Sequence, residues 1–341
     1  MTTTRKCFIV TLLISALLCL SAVFFDFQPK PAVHAVTVTS RVEDITSDTT
    51  WVDKELIANT TYRIKEGVTL TITGKIKAPG DSDSIKYVIS GGTIKFSGEG
   101  QYGDYFEIER KKTFTFDGVT VDGEGKEYTN PFIRNGNSGT IINLNNCTLK
   151  NYKIKKGNYI NSSIIKLFGS TLNITNSTIT GCKSSSSMGI IYAEATSSHT
   201  NKINITSSNI TDNENKICYV DKADVTIDSG TFENNKGGNG GLIRAGKMYD
   251  VGSTVTINGG TFKNNSATNG GVILNSESTV TINGGSFENN SATSNGGVIY
   301  NSAADSKVNL YGGYFAGNTA NGSLNDIYNY ADASIDLNIG S

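Results

Sequence analysis

The run STVTINGGTFKNNSATNGGVI, residues 253–273, returns as STVTINGGSFENNSATSNGGVI at residues 278–299. A third, degraded copy is SKVNLYGGYFAGNTANGS at residues 306–323. Self-similarity at this period marks a chain built by stacking one supersecondary unit on another. The aromatic position fixes the spacing. Phe232, Phe262, Phe287 and Phe315 are separated by 30, 25 and 28 residues. The period is irregular while the strand phase survives, so the extra residues must lie in loops.

Within each copy the pattern is strand, corner, strand. Val255 and Ile257, then Val280 and Ile282, alternate with threonine, which is the period of a half-buried strand. Asn258-Gly259-Gly260 and Asn283-Gly284-Gly285 follow, and Asn and Gly accept the positive φ of a sharp corner. The same phase runs toward the N-terminus. A first apolar column is Phe116, Leu144, Ile174, Ile205, Ile227, Ile257, Ile282 and Leu310. A second, five residues later in each unit, is Val121, Leu149, Ile179, Ile210, Phe232, Phe262, Phe287 and Phe315. Ile89 and Ile94 supply an earlier unit, and Ile335 and Leu337 an incomplete last one.

A coil of about 25 residues cannot bury its own apolar face, but stacked coils can. The expected fold is therefore all-β, a right-handed parallel β-helix. With strands about 4.8 Å apart, roughly nine or ten coils give a rod on the order of 45 Å long. Three residues after each second-column residue stands Asn213, Asn235, Asn265, Asn290 or Asn318. Stacked in register, these asparagines can exchange side-chain amide hydrogen bonds as an interior ladder. The phenylalanines form the core stack beside it. Glu233, Lys263 and Glu288 form an outward column whose alternating signs favour correct registration, each pair contributing about 0–1 kcal/mol.

Residues 1–35 read as an export signal. Arg5 and Lys6 precede the unbroken apolar stretch Phe8–Phe25, and Val33-His34-Ala35 offers a small-residue cleavage site. Their removal takes away Arg5, Lys6, Lys30 and Asp26, moving the net charge from −1 to −3. Such a chain has no basic field for nucleic acid and no strong electrostatic pull toward membranes, and no membrane partner is expected beyond the signal segment. Residues 36–80 contain Trp51 and strand-like segments without the repeat, and are expected to form an N-terminal cap over the helix of 81–341. The repeat is clearest at 210–318. At the other end, strand-like SIDLNI runs directly to Gly340-Ser341 with no evident polar cap. Cys147, Cys182 and Cys218 remain after the signal and fall in three different columns. An odd number forbids complete pairing, so they read as small buried or turn residues.

The pairing of Gly-Gly-x-Ile with Phe-x-x-Asn is specific. It occurs as Gly240-Gly241-Leu242-Ile243 before Phe262-Lys263-Asn264-Asn265, and as Gly270-Gly271-Val272-Ile273 before Phe287-Glu288-Asn289-Asn290. The third instance is Gly296-Gly297-Val298-Ile299 before Phe315-Ala316-Gly317-Asn318. This resembles the repeats of the chlamydial-type polymorphic outer-membrane proteins and the wider group of adhesin-like parallel β-helix proteins. Leu or Val stands where that repeat usually has alanine, and the family's membrane β-barrel is not found in this sequence. The resemblance implies a secreted or cell-surface protein with a structural or adhesive role. It also implies a host or neighbouring-cell surface protein or glycan as partner.

The same fold class, the pectin-lyase-like fold, holds polysaccharide-degrading enzymes, so an enzyme is the rival expectation. His199 stands alone in a polar loop. Arg63-Ile64-Lys65 matches a short polygalacturonase-type motif but precedes the repeats. A lyase of this fold would need Ca²⁺ held by carboxylates, and calcium takes six to eight oxygen ligands. Asp117, Asp122, Asp221, Asp224 and Asp228 do not align into an acid column, and Arg134 and Arg244 have no carboxylate cluster assigned beside them. The reading is of no catalytic, cofactor or metal residues, with a pectate-lyase-like enzyme as the alternative. A carbohydrate-binding module is a third reading, for which Tyr300, Tyr311, Tyr314, Tyr328 and Tyr330 are the candidate ligand contacts.

Overall fold

Alternation of β-branched and polar residues, broken every few positions by Asn, Asp or Gly, yields short strands joined at corners. In the computed structural model every regular element among the described residues is a strand. Those residues are 41–98, 103, 105–155, 163–185, 187–194, 198–330 and 332–337. The expected export signal, residues 1–35, lies outside them.

The strands assemble into three long parallel sheets. The first has 12 strands, from Arg41–Ile45 to Ser334–Leu337. The second has 11, from Thr49–Val52 to Tyr314–Ala316. The third also has 11, running from Lys75–Ala78 to Ile327–Asn329 with one short antiparallel addition, Val251–Gly252. Successive windings contribute strands to the three sheets in turn, so the fold is a parallel β-solenoid.

Both apolar columns are in register. Leu144 pairs with Phe116 and Ile174, and Ile257 with Ile227 and Ile282. Val121, Leu149, Ile179, Ile210, Phe232, Phe262, Phe287 and Phe315 are successive partners in the second sheet. The four phenylalanine rings stack face to face with centroids 4.7, 4.7 and 4.8 Å apart. That spacing equals the strand separation, so rings on adjacent windings stay in contact without changing rotamer.

The asparagine ladder is saturated. Asn213, Asn235, Asn265, Asn290 and Asn318 are buried. Asn265 is representative. Its Nδ2 donates to Asn290 Oδ1 at 3.0 Å and to Phe232 O at 2.8 Å. Its Oδ1 accepts from Asn235 N at 3.1 Å and Asn235 Nδ2 at 3.0 Å. Two donors and two acceptor sites are thus all used, which is the full capacity of a primary amide. Below the ladder Cys182 takes the equivalent place, its backbone N–H donating to Asn213 Oδ1 at 2.9 Å. Above it, Asp326 Oδ1 accepts from Asn318 Nδ2 at 2.8 Å. Asp326 closes the column and has no equivalent in the repeat, so alignment could not reveal it.

The residue before each ladder asparagine bends the chain. Asp212, Asn234, Asn264, Asn289 and Gly317 all have left-handed φ, between 54° and 65° except where Asn289 lies at 53°. These are the residue types that adopt this conformation at least cost. The Asn-Asn pair of the repeat therefore has two jobs, a corner and then a rung.

Two expectations met a different outcome. Glu233, Lys263 and Glu288 are aligned partners, but no ion pair joins them among the described residues. Glu233 instead accepts from Asn264 Nδ2 at 3.4 Å, and Glu288 from Ser286 Oγ at 2.6 Å. Exposed pairs gain too little to hold two long side chains in one geometry against these local bonds. Residues 36–80 are expected to form a cap; their described part is itself wound into the stack, Arg41–Ile45 pairing with Thr60–Ile64 and Thr49–Val52 with Leu70–Thr73. Among the described residues, side chains of this winding lie over the end of the core. Glu43, whose register partner Tyr62 is fully buried, pairs with Lys54 at 3.2 Å. The Lys54 ammonium lies 4.1 Å from the Trp51 ring centroid, and Trp51 packs edge-on against Tyr62 at 5.2 Å. Charge placed at such an inward edge position discourages further strand addition.

Candidate binding face

The outward side of the third sheet carries a column of aromatic and charged side chains. Arg134, Lys166, Tyr192, Tyr219, Arg244, Leu274, Tyr300 and Tyr328 are successive register partners. They alternate with the buried isoleucines of the core, so the pleat alone turns them outward. Glu194 and Asp221 stand two residues further along and form the neighbouring outward column.

At the middle of this face the groups bind one another across windings. Lys166 pairs with Glu194 at 3.2 Å and Arg244 with Asp221 at 3.0 Å. The Arg244 guanidinium lies 4.2 Å from the Tyr219 ring centroid, and Tyr219 meets Tyr192 edge-on at 5.5 Å. Burial pushes the Asp221 carboxyl above the usual carboxylate range, and Arg244 pulls it part of the way back. Burial, reinforced by Glu194, also holds the Tyr192 hydroxyl well above its ordinary value. The carboxylate beside Arg244, not assigned from the sequence, comes from 23 residues earlier. That is one winding, so the register of the third sheet was the signal that could have found it.

This pair has a checkable pH signature. Because the folded-state pKa of Asp221 is raised, the protonated form is favoured by folding. Its contribution to stability is fully present below the unfolded carboxylate pKa and is lost as pH rises through the folded value. In Arg244→Gln the lowering influence disappears, so the carboxyl is expected to titrate at still higher pH and the loss to extend upward with it. A carbon-13 NMR titration of the Asp221 carboxyl in both proteins measures this. A value unchanged or lower in Arg244→Gln would show that the cation does not hold the charge.

The other candidates are distributed over the surface. Tyr300 and Tyr328 lie together on the third sheet, ring centroids 5.6 Å apart. Tyr330 follows in the same winding and is exposed. Tyr311 and Tyr314 instead flank the corner between the first and second sheets, 47% and 61% exposed. The five tyrosines therefore do not make one patch. Asp122 is paired with Lys150 at 3.2 Å and accepts the Glu124 backbone N–H at 2.8 Å. It lies in the second sheet, whereas Arg134 lies in the third. Asp228 serves a corner, accepting from Asn258 Nδ2 at 2.8 Å. Arg63 is held bidentately by Asp44 at 2.7 and 2.9 Å. Among the described residues no group of three or more His, Cys, Asp or Glu converges as a metal site requires. Cys147, Cys182 and Cys218 are free and buried, and burial pushes each thiol up to about 12.

Stack, ladder and motif pair together define a parallel β-solenoid of the Gly-Gly-x-Ile/Phe-x-x-Asn type. Residues 284–302 match the Chlamydia polymorphic membrane protein repeat. The matched stretch contains Phe287, Asn290 and Gly296-Gly297-Val298-Ile299, the residues on which the resemblance was drawn. No curated protein and no solved structure shows significant similarity to the chain.

Proposed function

We propose that the protein is an exported β-solenoid, secreted or held at the cell surface, with a structural or adhesive role. The match of residues 284–302 to a repeat of polymorphic membrane proteins carries this reading. The wound architecture supports it. The ladder and the ring stack occupy the interior, leaving the outward columns free to vary without loss of fold. On this reading Tyr300 and Tyr328, with Tyr330 beside them, meet a surface protein or glycan of a host or neighbouring cell. The ties of Asp122 to Lys150 and of Asp221 to Arg244 support structural rather than catalytic roles for those acids.

The test couples purified protein to fluorescent beads and counts beads retained on cultured cell layers. Beads carrying the parent protein are expected to adhere, and Tyr300→Ala/Tyr328→Ala beads to adhere several-fold less. Retention equal to that of beads carrying an unrelated protein would remove the adhesive reading. Antibody labelling of intact producing cells and of their medium tests the location separately.

A further inference from the structure

Three lysines converge on an open groove where the second sheet turns toward the third. Lys183, Glu214, Lys236 and Ser266 occupy equivalent positions on successive windings. Beside them a cavity of about 470 Å³ is walled by Lys183, Lys216, Lys236, Glu214, Asn215 and Ser187. Cavities of this size hold small organic ligands. Among the described lining residues Glu214 is the one carboxylate, and it is paired with Lys183.

Lys216 is the informative residue. It is only 4% exposed, yet it has no carboxylate at ion-pair distance among the described residues. Its Nζ donates to neutral oxygens of the groove wall, Ser187 O at 2.9 Å and Asn215 Oδ1 at 3.4 Å. Gly189 packs over its stem, where an added Cβ would lie 2.7 Å from Cγ, so the side chain is fixed in place. Buried ammonium groups are normally paired, because an uncompensated charge away from water is costly. The groove therefore presents a buried ammonium whose partners among the described residues are neutral, and the exposed Lys236 lines the same groove.

We propose that this groove binds a sugar-sized ligand bearing a sulfate or phosphate ester, its oxyanion resting between Lys216 and Lys236. The charges facing Lys216 are Arg244 behind it and Lys183, Lys236 and Glu214 along the groove, with the Tyr219 ring 5.8 Å from Nζ. Burial, then Arg244, holds Lys216 down to about 8. A bound oxyanion favours its charged form, so binding near pH 8 takes up a proton, and affinity falls as pH rises past that value. The groove lies apart from Tyr300 and Tyr328, so its failure to bind would leave the adhesive reading standing.

Isothermal titration of the purified protein with galactose 6-sulfate, glucose 6-phosphate and plain galactose tests this. One of the esters is expected to bind, and the tighter of the two identifies the source of the oxyanion. Galactose, Lys216→Gln and Lys236→Gln should each lower affinity by about tenfold or more, the loss of one charge-assisted contact. Titration at pH 8 in buffers of different ionisation enthalpy should reveal proton uptake. The proposal is overturned if neither ester binds or if galactose binds as well as they do. It is equally overturned if the exposed-site variant Lys236→Gln, whose folding is not in question, binds unchanged.

Discussion

Asn265→Ala is expected to lower the stability of the solenoid by about 4 kcal/mol or more, read as a fall in the urea midpoint of far-UV circular dichroism. Removing this one amide strands several buried groups at once. Asn235 N and Asn235 Nδ2 lose their shared acceptor, and Phe232 O loses its donor. Asn290 Oδ1 keeps only the Asn265 backbone N–H. Each orphaned buried group costs about 1–3 kcal/mol, whereas the methyl that replaces the amide offers no bond in return. Asn269→Ala is the control. It also removes two amide bonds, to Asn239 at 3.1 Å and from Asn295 at 3.2 Å, but at the partly exposed corner where water can substitute. Its effect is expected to stay within about 0.5 kcal/mol. Equal effects of the two substitutions would mean that the interior column is not what holds consecutive windings together.

Gly271→Ala should be comparably severe for a steric reason. A Cβ at Gly271 would lie 2.1 Å from Gly297 O and 2.8 Å from Ser291 O, both backbone atoms of the next winding. No side chain can move aside. The windings would have to separate, and the bonds at this seam would stretch: Gly271 N to Gly296 O at 3.0 Å, Val272 N to Val298 O at 3.0 Å, and Ile273 N to Val298 O at 2.9 Å. Overpacking of this kind costs about 1–3 kcal/mol, and loss of the seam bonds adds to it. The C-terminal windings are expected to become cleavable by trypsin at Lys307 under conditions where the parent chain resists. Gly136→Ala, whose Cβ meets nothing within 4 Å, should leave the pattern unchanged. Resistance in both variants would contradict the close approach.

The same residues explain how much could be read in advance. The stacking phase was legible because Phe232, Phe262, Phe287 and Phe315 repeat an identity, and each is held by its neighbours above and below. The ladder was legible for the same reason. The corner role of Asn234, Asn264 and Asn289 was hidden behind the ladder, since both positions of the Asn-Asn pair carry the same letter. Asp326 was hidden because a column ends only once. The outward columns were the least legible. Whether Lys263 pairs with Glu288, or Arg244 with Asp221, turns on side-chain reach and burial, and neither is encoded in an alternating pattern. Lys216 was invisible as a special residue, because nothing in a run of letters shows that a lysine is enclosed without an acid.

The interior amides also give the molecule an electrical direction. In every rung the side-chain oxygen faces the N-terminal neighbour and the nitrogen the C-terminal one, an orientation fixed by the backbone N–H that each oxygen also accepts. Five small dipoles therefore add head to tail, as peptide dipoles do in a helix. The positive pole falls at Asn318, where the Asp326 carboxylate sits, and the negative pole at Asn213, where a Cys182 N–H sits. On the first sheet the half-buried Asn204, Asn173 and Asn143 donate in the reverse sense, each nitrogen pointing toward the N-terminal end and the last donating to Thr115 Oγ1. Two opposed polar files thus run along one cylinder, and their far fields partly cancel.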